Sequence, residues 1–229
     1  MTALMRKIDL LTEIAWWVLQ FIPFNRKPWF KGLIKSSATR EKYFPAEILT
    51  KVDELQRKNQ VVQVLDVGCG PLSRLAWGVE ARQIQLVAMD PLAAVYNFLL
   101  WAFRIHFPVR PIVCSGEDLL SVCQPDSFDI VFSQNALDHS RDPGLCIGNI
   151  AKVLKKKGLF YLAGFTKEGT KHKWLGLHKH DFYLNGGDLI WSNQKGQMVN
   201  LSRAHGLRCV YQDKPDYGVG DWFYALFEK

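Results

Sequence analysis

Apolar runs of strand length recur through the middle of the chain, and most stop abruptly at glycine or a polar side chain. Val64-Leu65-Asp66-Val67 runs into Gly68-Cys69-Gly70-Pro71, and Gln85-Leu86-Val87-Ala88-Met89 ends at Asp90. Arg110 to Cys114, Phe128 to Gln134 and Leu159 to Phe165 supply three more. Near-continuous apolar character, rather than strict alternation, marks strands buried on both faces of a parallel sheet. Between these runs the apolar period lengthens to that of a helix. Leu92, Tyr96, Leu99, Leu100, Phe103 and Phe107 form one stripe. Asp142-Pro143, a cap followed by a favoured first helical residue, opens another that runs to Leu154. Lys155, Lys156 and Lys157 suit the carboxyl end of that helix, and Gly158 suits its termination. Met198 to His205 reads as a last helix stopped by Gly206. Leu207 to Gln212 and Trp222 to Glu228 read as a closing strand pair around an Asp-, Pro- and Gly-containing loop. Strands alternating with helices predict an α/β fold.

Two apolar surfaces stay unpaired in that scheme. Leu10, Leu11, Ile14, Trp17, Val18, Phe21 and Ile22 recur at helical spacing, flanked by Arg6-Lys7 and Arg26-Lys27. Glu13 and Gln20 interrupt the run, and a bilayer span takes about 20 apolar residues. No small-residue cleavage site follows it to mark a secretory leader. The helix after Asp90 is apolar nearly all round, because Phe98, Trp101 and Ile105 widen its stripe, so something must cover it. The amino-terminal helix is the simplest cover, and it then serves as a lid or pocket wall. An interfacial helix touching anionic membrane through residues 8–30 is the other reading. The expected organisation is a helical extension over 1–60 and one domain over 61–229, with a pocket-shaping insertion at 166–195.

A buried strand running into a two-glycine turn presents bare backbone amides where nucleotide-like ligands bind an open sheet. Ser73 stands where a dinucleotide fingerprint needs its third glycine, which excludes NAD and FAD. With Asp66 ahead of the turn, the order Asp-x-Gly-x-Gly resembles the first motif of class I S-adenosylmethionine-dependent methyltransferases. Three later features resemble the same family: Asp90-Pro91 at the second strand's end, the acidic turn Ser115-Gly116-Glu117-Asp118, and the fourth-strand stretch Ser127 to Gln134. The likeness covers roughly residues 60–165 and points toward relatives of the quinone methylases. It departs from them at Lys156-Lys157-Gly158, where Pro-Gly-Gly is usual, and at Leu72, where many members have a third glycine. The resemblance implies a Rossmann-like three-layer sandwich with a seven-stranded, mostly parallel sheet of order 3-2-1-4-5-7-6. It implies S-adenosylmethionine as cofactor, with Asp66 and the Gly68-Cys69-Gly70 backbone at its methionine part. Asp90-Pro91 would meet the ribose and Glu117 or Asp118 the adenine, while Ser133-Gln134 would lie beside the methyl donor. Helix capping is an equal account of Glu117 and Asp118, and Asp90 can cap a helix while it meets the ribose.

Composition narrows the partners. The net charge is +7, but residues 1–60 hold eleven Lys/Arg against six Asp/Glu, which leaves the sheet region little attraction for nucleic acid. Methylases of base amino groups carry Asp/Asn-Pro-Pro-aromatic after the fourth strand, and here Ser133-Gln134-Asn135-Ala136 stands instead. Nucleic acid is not expected as a partner. Five cysteines at irregular spacing form no disulfide framework and suit a reducing cytoplasm. Cys69, Cys114 and Cys209 read as small core residues.

Candidate chemistry lies in two places. His139, in Asn135-Ala136-Leu137-Asp138-His139, sits past the fourth strand where an acceptor should meet the methyl group, and is the candidate general base. Alternatively it ties its loop to the next helix through Asp142. Asp138 beside it is expected to face solvent. The second place is Lys167 to Gln194, where His172, His178, His180 and Asp181 fall among Trp174, Phe182, Tyr183 and Trp191. His178 and His180 are candidate acceptor-binding residues. Three histidines and an aspartate can ligate a first-row metal, but no recognised ligand spacing supports one, and no metal is expected. The expected function is O-methylation of a small-molecule or glycan acceptor in the cytoplasm. Methylation of a lipid or quinone at the inner membrane surface, or a catalytically silent cofactor-binding subunit, are the alternatives.

Overall fold

A computed structural model describes residues 3–35, 46–58, 60–76, 79, 84–215 and 220–229. Residues 36–45 of the expected extension and 216–219 of the loop between the last two strands lie outside the described residues. Among the described residues three helices precede the sheet: α1 (Ala3–Phe21), α2 (Pro28–Lys35) and α3 (Ala46–Gln56). The alternating region follows as β1 (Val62–Val67), β2 (Ile84–Asp90), α4 (Ala93–Ala102), β3 (Ile112–Val113), β4 (Phe128–Gln134), α5 (Pro143–Val153) and β5 (Leu154–Phe165). After it come α6 (Glu168–Lys171), β6 (Asp181–Asn185), β7 (Asp188–Ser192), β8 (Met198–Asn200), α7 (Leu201–Ala204), β9 (Arg208–Asp213) and β10 (Trp222–Glu228).

The main sheet runs β3-β2-β1-β4-β5-β10-β9, with β10 antiparallel to both of its neighbours. Counted among these seven strands alone, that is the order 3-2-1-4-5-7-6. Successive residues of the strands serve opposite faces. Leu65, Val67, Val131 and Phe160 pack with Ile147 and Ile150 of α5, whereas Val64, Ile130, Phe132 and Tyr161 pack with Ile48 and Val52 of α3.

Three local expectations are corrected. Leu154 already has extended backbone, so β5 starts there and the three lysines lie in the sheet, not on the helix. Lys155 Nζ then reaches the Asp129 carboxylate at 2.9 Å. Met198 to Asn200 is a strand, paired with β7, and only one helical turn follows, capped where the Asn200 side chain accepts the Arg203 N–H. A second sheet, β6-β7-β8, was not anticipated.

A third cluster joins the amino-terminal helices to α4. Phe21 and Phe30 are buried with Leu72, Leu99 and Leu100. The Trp17 ring meets Tyr96 edge-on at 5.5 Å, an arrangement aromatic pairs favour. The cover over α4 is partial, since Phe98 is 61% and Trp101 69% exposed. Among the described residues no helix is long and apolar enough to cross a membrane.

Candidate active site

The carboxyl ends of β1, β2 and β4 open into a cavity of about 1600 Å³, closed over by α1 and by the segment after β5. A pocket for one drug-sized molecule is typically ~300–1,000 Å³, so this volume accommodates two partners side by side.

The floor is the glycine turn. Gly68 and Gly70 hold φ of 71° and 64°, a left-handed conformation in which glycine alone is unstrained. A Cβ on Gly68 would collide with the Ala136 Cβ, and Trp17 of α1 lies 3.7 Å from the place a Gly70 Cβ would take. The expected bare amides are corrected: Gly68 and Cys69 both donate to the Met89 carbonyl, at 2.8 and 3.0 Å, and Gly70 donates to Asp90 Oδ2 at 3.0 Å. The turn therefore offers space free of side chains rather than free donors.

Two expected cofactor residues lie behind that wall. Asp66 is buried, with Ser73 Oγ donating to its Oδ2 at 2.6 Å. Burial pushes its carboxyl up to about 7, and the serine offsets only part of that. Ser133 is buried as well and donates to the Val67 carbonyl at 2.9 Å, tying β4 to β1. Gly68, Cys69, Gly70, Asp90, Pro91, Glu117, Asp118 and Gln134 do line the cavity. Asp90 Oδ1 accepts the Leu92 N–H at 2.8 Å, so the helix start and the Gly70 amide share one carboxylate. Burial raises that carboxyl to about 6 in spite of both bonds. Glu117 accepts the backbone N–H groups of Arg141 and Asp142, which outweigh burial and hold it below its usual range. Asp118 accepts from Ser115 Oγ at 2.6 Å and lies 3.5 Å from Arg141, a residue the sequence did not single out.

The histidines gather at the opposite wall. His139 Nε2 stands 3.3 Å from His178 Nδ1 and 3.3 Å from Asp138 Oδ2, and the latter two atoms are 2.6 Å apart. Asp138 does not face solvent: it is 6% exposed. A short 3₁₀ turn over Leu137–His139 carries it inward, and the Lys179 amide donates to its carbonyl at 3.2 Å. Asp142 instead caps α5 through the Leu145 amide, so it does not anchor His139. Burial disfavours charge on Asp138 and on His178, but His139 and then His178 hold the Asp138 carboxyl below its usual range, and Asp138 with Glu168 holds the His178 imidazole above its own.

His180 is corrected from acceptor contact to framework. Its Nδ1 accepts the Trp191 Nε1–H at 2.9 Å, leaving Nε2 to donate to the Ser140 carbonyl at 3.0 Å. It lies off the cavity wall, and burial keeps its imidazole below the usual range. Glu168 was missed: it lies 3.8 Å from His178 Nδ1 and 3.5 Å from His172 Nε2, and the ring of His172, which the sequence did single out, stacks on His178 at 4.0 Å. The available signal was Glu168-x-x-x-His172, a pair one helical turn apart.

Residues 65–162 match the family profile described as a methyltransferase domain. A ubiquinone biosynthesis O-methyltransferase from Colwellia psychrerythraea is 24% identical over 203 residues, covering 79% of this chain and 76% of that protein. Its counterpart from Bartonella tribocorum is 26% identical over 203 residues, covering 77% and 74%. A solved Burkholderia thailandensis 1,6-didemethyltoxoflavin-N1-methyltransferase, with 1,6-didemethyltoxoflavin and S-adenosylhomocysteine bound, superposes at TM-score 0.55 and 16% identity over 100% of this chain and 91% of that one. A sarcosine dimethylglycine methyltransferase structure from Galdieria sulphuraria, itself an unconfirmed assignment, gives 0.55 and 15% over 83% and 85%. At such identity these two superpositions speak for the fold.

Proposed function

We propose that this chain, which carries a methyltransferase domain over residues 65–162 and has O-methyltransferases among its relatives, is a class I S-adenosylmethionine-dependent methyltransferase that methylates a hydroxyl oxygen on a small, largely apolar acceptor. The carrying observation is the His139 imidazole on the cavity wall with the buried Asp138 carboxylate behind it. The O-methyltransferase names of the relatives support oxygen as the acceptor atom. Trp16, Phe165, Leu177 and Trp222 on the wall suit a flat quinol-like ring better than a glycan.

The cavity residues fit the cofactor, which supplies a methyl group already activated on a sulfonium. The side-chain-free floor at Gly68 and Gly70 leaves room for its methionine part. Asp90 presents the acceptor oxygens that a ribose diol needs, with Pro91 beside it; Glu117 and Asp118 would border the adenine, and Gln134 would lie toward the methyl group. Asp66 and Ser133 act from behind, fixing the turn and the β1–β4 pairing. Trp16 and Trp17 of α1 form a wall over the donor end, and Asp9 of α1 pairs with Lys179 at 3.4 Å, joining the helix to the insertion.

Alignment of acceptor and donor in such a pocket supplies on the order of 7–11 kcal/mol of barrier reduction. The His139 imidazole would accept the proton of a bound acceptor hydroxyl, a contribution of about 10²–10⁴-fold for a general base. Asp138 holds the ring and stabilises the imidazolium that forms. A panel of quinols, catechols and glycosides assayed with labelled S-adenosylmethionine tests the acceptor class, and transfer to nitrogen acceptors alone overturns it. His139→Ala is expected to cut turnover at least tenfold while S-adenosylhomocysteine affinity holds. Unchanged turnover removes the base.

A membrane-surface version of this activity has its own support. Leu11, Leu19, Phe24, Phe98 and Trp101 are exposed on α1, α4 and the turn after α1, and Arg26 and Lys27 follow that turn in sequence. Sedimentation with anionic vesicles tests it: the chain pellets with them on this reading and stays in the supernatant otherwise.

A further inference from the structure

The glycine turn gives the charged end of the donor room but no partners. Its amides are committed to the Met89 carbonyl and to Asp90, and Asp66 is buried behind it. The methionine part of S-adenosylmethionine ends in an ammonium and a carboxylate. Charges taken out of water need counter-charges or several hydrogen bonds, so other side chains at this end of the cavity have to supply them.

Two side chains there carry the two signs. Arg74 follows Gly70 by four residues, between Ser73 and Leu75, which are both fully buried. Its neighbours face the core, and Arg74 itself lines the cavity. The other guanidinium on the wall, Arg141, is committed to Glu117 and Asp118 at 3.7 and 3.5 Å. Arg74 makes no ion pair among the described residues.

Glu13 is the carboxylate that interrupts the apolar face of α1. With Trp16 and Trp17, three and four residues on, it shares the face that closes the cavity. Glu13 Oε1 accepts the Trp17 Nε1–H at 2.9 Å, and the six-membered ring of that indole lies 3.7 Å from the place a Gly70 Cβ would take. The indole thus holds the carboxylate close above the floor. The remaining cavity carboxylates are engaged elsewhere. Asp90 accepts two amides, Glu117 and Asp118 face Arg141, and Glu168 lies against His172 and His178.

We propose that Glu13 and Arg74 clamp the methionine tail of the donor, the Glu13 carboxylate on its ammonium and the Arg74 guanidinium on its carboxylate. Forked guanidinium donors match a planar carboxylate, and charge-assisted bonds of this kind are roughly twice as strong as neutral ones. Because Glu13 belongs to α1, the bound tail fastens that helix over the glycine turn, adding to Trp17 on Tyr96 and Asp9 on Lys179. The inference rests on S-adenosylmethionine as donor and is independent of the acceptor.

Calorimetric titration of the full chain with three ligands tests the clamp. S-adenosylhomocysteine has the whole tail, S-adenosyl-3-thiopropylamine lacks only the carboxylate, and 5′-methylthioadenosine lacks the amino-acid tail altogether. Glu13→Gln is expected to weaken the first two at least tenfold and to leave methylthioadenosine within twofold. Arg74→Gln is expected to weaken S-adenosylhomocysteine alone, and Arg74→Lys to restore part of that loss. Retained methylthioadenosine binding shows that each variant is folded. Unchanged S-adenosylhomocysteine affinity in folded Glu13→Gln and Arg74→Gln, or parallel loss of all three ligands, overturns the clamp. Failure of the unmutated chain to bind any of the three overturns the donor reading itself.

Discussion

The Asp138 carboxylate and the Nδ1 of His178 meet at 2.6 Å across 40 residues of sequence, joining the loop after β4 to the insertion after β5. Removing the charge without changing the shape isolates this link. Asp138→Asn is expected to lower turnover at least tenfold, toward the ~10²-fold floor of general-base effects. Leaving a buried partner imperfectly matched costs about 1–3 kcal/mol of stability. Turnover, urea midpoint and S-adenosylhomocysteine affinity are read together, and wild-type turnover in the variant contradicts the role.

Asp90 serves two backbone amides and the cavity at the same time. Asp90→Ala is expected to weaken S-adenosylhomocysteine binding more than tenfold by calorimetry. Equal affinity contradicts the ribose assignment.

Gly68→Ala combines left-handed backbone strain, about 1–2 kcal/mol, with a collision against Ala136, about 1–3 kcal/mol for overpacking. Gly176→Ala meets the strain alone, since φ is 59° and open space surrounds the new methyl. Chemical denaturation is expected to rank Gly68→Ala clearly below Gly176→Ala. Equal losses contradict the close approach at the cavity floor.

Asp66 makes stability depend on pH. Its carboxyl sits at about 7 in the folded chain against a usual 3.8. Between those values the unfolded chain has released the proton and the folded chain retains it. Stability from this group is therefore full below about 3.8 and falls as pH rises through about 7, at up to ~1.4 kcal/mol per pH unit. Asp66→Asn, which keeps a partner for Ser73, is expected to flatten that slope in melts run across the window. An unchanged slope assigns it to other groups.

The main sheet was legible because strands buried on both faces carry dense apolar runs, and Ser73 and Asp90 stood at spacings that discriminate among ligands. The second sheet was not read, although Asn185-Gly186-Gly187-Asp188 between apolar runs is a hairpin signal. Asp138 was misjudged because neighbouring residues face apart on a strand or helix, and a 3₁₀ turn between them follows neither rule. His178 and His180 look alike in sequence. Only the approach of Trp191 from β7 commits His180 to the framework and leaves His178 at the wall. Asp66 and Ser133 hold motif positions in the sequence but stand one layer behind the surface their motifs suggest.

The second sheet leaves the main one after Phe165 and returns to it at Arg208, carrying Glu168, His172, His178 and Leu177 with it. The floor under the glycine turn, by contrast, is made by the ends of β1, β2 and β4. The stretch 166–207 thus lends Glu168, Leu177 and His178 to a cavity whose remaining wall, His139, Phe165 and Trp222 among it, belongs to the main sheet and its loops. Replacing that one stretch would reshape part of the wall and leave the glycine turn whole.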